Sequence, residues 1–588
     1  MVVDLLNKQI TLILKELGIA NPQLNFEHPA DENHGDWSTN AALQYAKQLP
    51  DINNPRKLAE IIVEKLKPLL KDIPEIWQVS IAGPGFINFS LAREYFRTEI
   101  VKMSEKAPQE YFAKKAKENK NRKVIVEYSS PNIAKPFTIG HLRSTIIGDA
   151  VANLYEALGW QVYRDNHLGD WGTQFGKLIY AIKTWGNQED IDKSKQPIKE
   201  LVTLYVKFHE EAEKNPNIED DGRAWFKKLE EGDDEAHQLW QWCIDLSWKE
   251  FQSIYGELGI SFTENNGRGF GESYFEDKMS EAVDLLETKL APEKAVENGA
   301  HYAEGEDGAK LIFFNNEELP PLMVMKKDGA TLYATRDFAT DYFRLKKYDN
   351  PDLIVNEVGA EQSLYFQQLY KVEEILGWYK PGQRVHVKHG LYRFKDKKMS
   401  TRKGNVIWLA DVISEAKERA EALSPDKKHI TQTIAIGALK WNDLRSETNR
   451  DIVFDWDELL SMKGNSGPYV QYATVRAKSI LRKAALEEFS PGYGDDAWKM
   501  NTEELNLARH LDRFVETVQL AASEFAPHHL ASYLFELAQR FNVLYNTHKI
   551  VTAENSDARE RRCVLTQATV KTLEYGLSLL GIQTPEEM

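Results

Sequence analysis

The stretch that decides the fold is Val124–Asp149, VIVEYSSPNIAKPFTIGHLRSTIIGD. Three consecutive β-branched residues, Val124, Ile125 and Val126, predict a strand buried on both faces. A loop rich in Ser, Pro and Asn follows, and a helix-forming stretch opens at Gly140–His141. Strand, phosphate-sized loop and helix, in that order, place an anion at a helix N-terminus. A lone histidine is more often a core or capping residue. Here Gly140 permits close backbone approach, and an imidazole beside free backbone amides can donate to a phosphate oxygen.

Working outward, further strands are predicted at Gln161–Arg164, Leu311–Phe314, Leu353–Val358 and Val385–His389, alternating with helices. That alternation predicts an α/β fold, with a doubly wound parallel sheet of Rossmann type over 119–425. A charged helical insert interrupts it near 189–256, and its acidic runs, such as Glu230–Glu235, read as solvated surface. Residues 1–118 read as a separate α+β module. Its helical periodicity covers Leu5–Leu17, Thr39–Gln48 and Pro55–Leu70, and its strands, Trp77–Ile81 and Phe86–Phe89, flank a Gly83–Gly85 turn. Strand signals fade beyond 426, and Leu505–Leu520 and Leu530–Val543 show helical spacing, so an all-helical bundle is expected over 426–588.

The bulk properties bound the function. With 588 residues, 42% of them hydrophobic, the chain has ample core for several domains. No run approaches the ~18 apolar residues of a membrane span, and the N-terminus has no export signal. Cys243 and Cys563 are too few for a disulfide framework or a cysteine-held zinc. Cytoplasmic residence is therefore expected. A net charge of −16 argues against indiscriminate binding to phosphate backbones, so any nucleic acid must be recognised locally. There is no Gly-x-x-x-x-Gly-Lys-Ser/Thr, which excludes a P-loop NTPase, and Gly267–Gly271 lacks dinucleotide spacing.

A second basic segment lies downstream, Lys398–Met399–Ser400–Thr401–Arg402–Lys403–Gly404–Asn405. Three cations with small polar spacers, ending in glycine, can clamp phosphates and stabilise charge on a departing pyrophosphate. Thr138–Ile139–Gly140–His141 resembles the "HIGH" signature of class I aminoacyl-tRNA synthetases, with Thr138 in place of the first histidine. Lys398–Arg402 resembles their "KMSKS" loop, with Thr401 for the second lysine and Arg402 for the final serine. Ser129–Pro136, SSPNIAKP, resembles the arginyl family of that class. In that family the second loop varies and a lysine just upstream of HIGH compensates, a place taken here by Lys135.

The resemblance covers essentially the whole chain and implies specific roles. Catalytic and phosphate-stabilising groups would be Lys135, Thr138, Gly140, His141, Lys398, Met399, Ser400 and Lys403. ATP, carried with Mg²⁺ and without a protein metal site, would contact Ser130, Lys135, Gly140, His141, Met399 and Ser400. L-Arginine would be held by Asp337 and Tyr333 at its guanidinium, with Glu127, Asn132 and Gln362 around its α-amino and side-chain ends. A carboxylate binds a guanidinium bidentately, and Tyr333 and Asp337 are one helical turn apart. Leu168–Gly176 matches the family as a pocket wall. tRNA(Arg) would be contacted at its elbow by Phe86 and Asn88, and at its anticodon loop by Tyr469, Tyr472, Arg476, Tyr545 and Met588. The resemblance thus implies an arginine–tRNA ligase, expected to be monomeric, that needs bound tRNA for its first step. A synthetase for another amino acid, a silent RNA-binding paralogue and a small-molecule nucleotidylyl transferase are the rival readings.

Overall fold

The computed structural model describes residues 2–110, 119–294, 299–315, 319–327, 329–394, 397–398, 407–423, 425–485 and 498–588. By internal contacts the chain divides into two compact units. One comprises Met1–Pro108, Arg476–Val515 and Glu536–Leu573, the other Gln109–Val475, Glu516–Phe535 and Glu574–Met588.

In the first unit, β1 (Phe26–Glu27), β2 (Trp37–Thr39), β3 (Ile76–Ala82) and β4 (Phe86–Leu91) form an antiparallel sheet in the order β1-β2-β4-β3. Helix Val2–Glu16 buries Leu6, Ile10, Ile13 and Leu14, the one-face spacing that marks an amphipathic helix. Helix Pro55–Leu66 starts where Asn54 accepts the Lys57 amide at 3.0 Å and Pro55 occupies the first turn. The helical periodicity read over Thr39–Gln48 begins too early. Trp37–Thr39 pairs with Ile87–Phe89, and the chain turns helical only at Ala41–Tyr45. Leu505–Leu520 resolves into two helices, Thr502–Asp512 and Phe514–Ser523.

In the second unit, β5 (Lys123–Glu127) and β6 (Gln161–Asp165) run parallel with Glu127 opposite Asp165. The expected helical insert consists of Gln188–Lys193, Pro197–Lys214, Asn217–Glu230 and Asp234–Leu258. An antiparallel sheet follows, made of β7 (Ala300–Glu304), β8 (Lys310–Phe314) and β9 (Leu322–Met325). The strand expected at Leu311–Phe314 is therefore real but belongs to this small sheet, not to the parallel one. Its alternating burial, with Ile312 and Phe314 inward, fits a sheet covered on one face. The chain then returns to the parallel sheet as β10 (Leu353–Gly359) and β11 (Arg384–His389). Its order is β11-β10-β5-β6, with Val124, Ile125, Val126, Ile354 and Val355 fully buried. From β5 the chain moves to one side and from β10 to the other, so a switch point lies between them, where α/β sheets bind ligands beyond the strands' carboxyl ends. Finally β12 (Tyr392–Phe394) pairs with β13 (Lys397–Lys398) and with β14 (Ile452–Phe454), one strand beyond residue 425.

Candidate active site

The loop after β5 is unusual. Ser129, Ser130 and Ala134 have φ of 79°, 32° and 54°, left-handed values that side chains disfavour. Neighbouring elements hold them there. The Ser129 amide donates to Ser144 Oγ at 2.9 Å, and Ser129 Oγ lies 2.7 Å from Thr145 Oγ1 and 2.9 Å from the Tyr255 hydroxyl. The Ala134 amide donates to Ser247 Oγ at 2.9 Å. Such over-determination is typical of ligand-shaped loops.

Helix Ile139–Ala157 opens at the end of this loop. The Thr138 amide donates to His141 Nδ1 at 3.0 Å, so Nε2 carries the ring proton. Burial lowers the imidazole pKa to about 4, and the ring is neutral at ordinary pH. His141 therefore acts through an Nε2 hydrogen bond, not as a cation. Gly140 is exposed beside it. The segment following the basic run is bound to this turn: Ile139 N–H donates to Ile407 O at 3.1 Å, and Leu409 N–H to Phe137 O at 2.9 Å. Met399, Ser400, Thr401, Arg402 and Lys403 lie outside the described residues, and Lys398 is described in its backbone only, as the end of β13. Lys135 is half-buried, and burial lowers its pKa while Glu272 partly offsets this. Among the described residues it has no ion-pair partner within 4 Å.

A second cluster faces the sheet's carboxyl edge. Asp337, on helix Tyr333–Lys347, accepts the Tyr365 hydroxyl at Oδ2, and its Oδ1 lies 3.9 Å from His167 Nε2. Burial raises its carboxyl to about 6, against the pull of His167 and Tyr365. Tyr333 is 56% exposed, with its ring edge-on to Tyr365 at 4.6 Å. Glu127 is buried with Oε2 on Arg344, which also meets Asp165 at 2.8 Å and Asp341 at 3.3 Å. Burial would raise Glu127, but Arg344 reverses this and holds it below the usual carboxylate range. Asn132 bridges to Gly169, which leaves no room for a side chain there: a Cβ would meet Asn132 Oδ1 at 2.4 Å. The expected pocket wall thus begins as a loop-to-loop bridge, while Trp171 is buried against Trp240 and Phe226.

Electrostatic coupling runs from His141 to Lys135, from Lys135 to Glu272, from Glu272 to His167, and from His167 to Glu127 and Asp337. The structure therefore gathers those residues, while Gln362 stands exposed at the start of helix Ser363–Ile375. The sequence reading missed His167, Tyr365 and Arg344. Signals were present for two of them: His167 directly precedes Leu168, and Tyr365 lies three residues past Gln362.

The residues expected at RNA lie elsewhere. Phe86 is half-buried at the start of β4, whereas Asn88 is 4% exposed and paired inside the sheet. Little of Asn88 is left at the surface. Tyr469 and Tyr472 are half-buried on helix Gly467–Ala485, and Tyr469 packs on Phe535 at 5.5 Å. Arg476 binds Asn542 at 2.8 Å and lies 5.3 Å from the Tyr545 ring. Met588 is half-buried.

A conserved-family model for the class I (R) tRNA synthetase catalytic domain matches residues 106–456, which makes the chain a class I aminoacyl-tRNA synthetase. Models for the arginyl-tRNA synthetase N-terminal domain and the DALR anticodon-binding domain match residues 4–91 and 470–588. More narrowly, the chain belongs to the arginyl-tRNA synthetase family. A relative from Clostridium perfringens, named arginine–tRNA ligase, is 40% identical over 583 residues and 97% of each chain. One of the same name from Halothermothrix orenii is 36% identical, covering all of both chains. The solved arginyl-tRNA synthetase of Thermus thermophilus superposes with a TM-score of 0.80 at 26% identity, covering 100% of each chain. No helix among the described residues is long and apolar enough to cross a membrane.

Proposed function

We propose that this chain is an arginine–tRNA ligase with a two-step reaction. The arginine carboxylate attacks the α-phosphate of ATP, forming the adenylate and releasing pyrophosphate. A terminal ribose hydroxyl of tRNA(Arg) then attacks the adenylate carbonyl, loses its proton and releases AMP. The observation that carries this reading is a carboxylate for a guanidinium, Asp337 with Tyr365 and beside His167 after β6, together with a neutral imidazole donor at the helix N-terminus reached from β5, His141.

Neither step requires a protein nucleophile, so positioning and charge stabilisation do the catalysis. His141 Nε2–H and the backbone at Gly140 face the nucleotide phosphates, with Ser130 and Thr138 in the same turn. Lys135 supplies the cation that Thr138 does not, and Lys398, Met399, Ser400 and Lys403 complete the phosphate site from the basic loop. Mg²⁺ arrives with ATP as part of the substrate. Asp337 and Tyr333 take the guanidinium, and Asn132, Gln362 and the oxygen of Glu127 not held by Arg344 take the α-amino end. Residues 1–118, with Phe86, serve the tRNA elbow. Residues 119–425 are catalytic, and 426–588, with Tyr469, Tyr472, Arg476, Tyr545 and Met588, serve the anticodon loop. The protein works as a cytoplasmic monomer.

Pyrophosphate exchange into ATP tests the first step. Exchange is expected with arginine and tRNA together and to be weak without tRNA. No exchange under any combination would remove the activity.

A further inference from the structure

Beside Asp337 stands a side chain that the chemistry above leaves unused. His167 follows β6 and is half-buried, its side chain 12% exposed, with its ring on Phe275 at a centroid distance of 5.7 Å. Its Nδ1 faces the Phe270 carbonyl at 3.0 Å and therefore carries a hydrogen and donates. Its Nε2 faces Asp337 Oδ1 at 3.9 Å, the oxygen not occupied by Tyr365. Four carboxylates surround the ring from four elements: Glu127 at the end of β5, Asp170 in the following loop, Glu272 in the turn Glu272–Lys278, and Asp337 on its helix. Arg344 is the opposing cation.

We propose that His167 is a specificity-determining residue for the cationic substrate: its imidazolium is the resident counter-charge of Asp337, and an arriving guanidinium replaces it. This rests on Asp337 being the guanidinium acceptor. Burial pushes the imidazole pKa down, and Glu127, Asp337 and Glu272 more than reverse it, so the empty pocket favours the charged ring. A guanidinium satisfies Asp337 and places a like charge beside the ring. The Nε2 proton then passes to solvent, while Nδ1–H stays on the Phe270 carbonyl. No bond to the substrate forms or breaks.

Two consequences separate this role from simple packing. Arginine binding releases a proton, whereas a neutral ureido isostere such as citrulline releases none. Preference for arginine over citrulline therefore grows as pH rises, because a ring already neutral has no proton to lose. Asp337 itself titrates at about 6, so the test belongs near pH 7, where that group is largely ionised.

Titration calorimetry of the full chain with tRNA bound, in two buffers of different protonation heat near pH 7, counts the protons. The expected result is release of a substantial fraction of one proton per arginine, with none for citrulline. In His167→Asn, which keeps a donor for the Phe270 carbonyl, that release falls, and what remains comes from Asp337, whose carboxyl moves up once the imidazolium is gone. His167→Gln substitutes if the first variant does not fold, and the wild-type count stands by itself. Arginine binding without proton release, or release unchanged in the variant, overturns the role of His167. Arginine affinity unchanged in Asp337→Asn would instead overturn the pocket on which it rests.

Discussion

The backbone N–H of Thr138 donates to Nδ1 of His141 at 3.0 Å, and this one bond fixes the tautomer of the imidazole. With its pKa pushed by burial to about 4, His141 offers a single Nε2–H donor throughout the neutral range.

His141→Gln should lower kcat about 10²- to 10³-fold, the range for losing one donor to a charged transition state. It should also flatten part of the acid-side stability profile. In the unfolded chain the ring gains its proton near 6.5, but in the folded one only near 4. The unfolded state thus binds more protons within that window, and stability falls as pH drops through it, by up to about 3 kcal/mol. Urea unfolding at pH 7 and at about pH 5 should show a smaller pH loss for the variant than for wild type. Equal losses would mean that His141 is not held neutral.

Asp337→Asn keeps the shape of the site and removes its charge. The KM for arginine should rise about a hundredfold or more, the scale for breaking a buried charge pair. In wild type, arginine binding should strengthen as pH rises through about 6, where the carboxyl ionises. Tyr365→Phe removes a donor that favours the ionised form and should move that midpoint upward. Steady-state KM values between pH 5 and 8 give both results, and a flat profile would exclude Asp337 as the acceptor.

Two glycines of one helix should separate function from folding. A Cβ on Gly140 would meet only Thr138 Oγ1, at 3.3 Å, and its φ is not left-handed, so Gly140→Ala should fold normally. It should still raise the KM for ATP several-fold by blocking close backbone approach. A Cβ on Gly148 would fall 2.2 Å from Tyr128 Cβ, and Gly148→Ala should cost about 1–3 kcal/mol of stability. Thermal melts and ATP titrations on the pair decide this. The reverse pattern would remove Gly140 from the nucleotide site.

Arg344 is buried against Glu127, Asp165 and Asp341. Arg344→Met leaves Glu127 and Asp165 without their cation, while Asp341 keeps Arg384 at 2.8 Å, and should destabilise the chain by about 3–5 kcal/mol. An unchanged urea midpoint would show that these charges are solvated.

Much of this was legible in the sequence where local pattern decides. β5 and β10 were readable because strands buried on both faces carry apolar runs, β11 because Val385 and Val387 alternate with polar residues, and the phosphate turn because glycine and histidine sit between a strand and a helix. β8 was visible as a strand, but its partners were not, since pairing depends on residues far along the chain. β1, β2 and β14 span two or three residues each, too few for a period. Asp337 was found by a motif, whereas Arg344 was not: a buried ion-pair arginine has no local mark that distinguishes it from a surface one. His167 and Tyr365 become visible only when loop, sheet edge and helix converge on Asp337. Asn88 shows the converse, a motif position that the pleat turns inward.

The central claim is that this cleft selects arginine for attachment to tRNA. The direct test is charging of purified tRNA by the full chain with ATP and each labelled amino acid in turn. Arginine alone should become esterified to tRNA, and arginine-accepting tRNA alone should be charged. Esterification of a different amino acid, or none at all with active tRNA, would contradict the account.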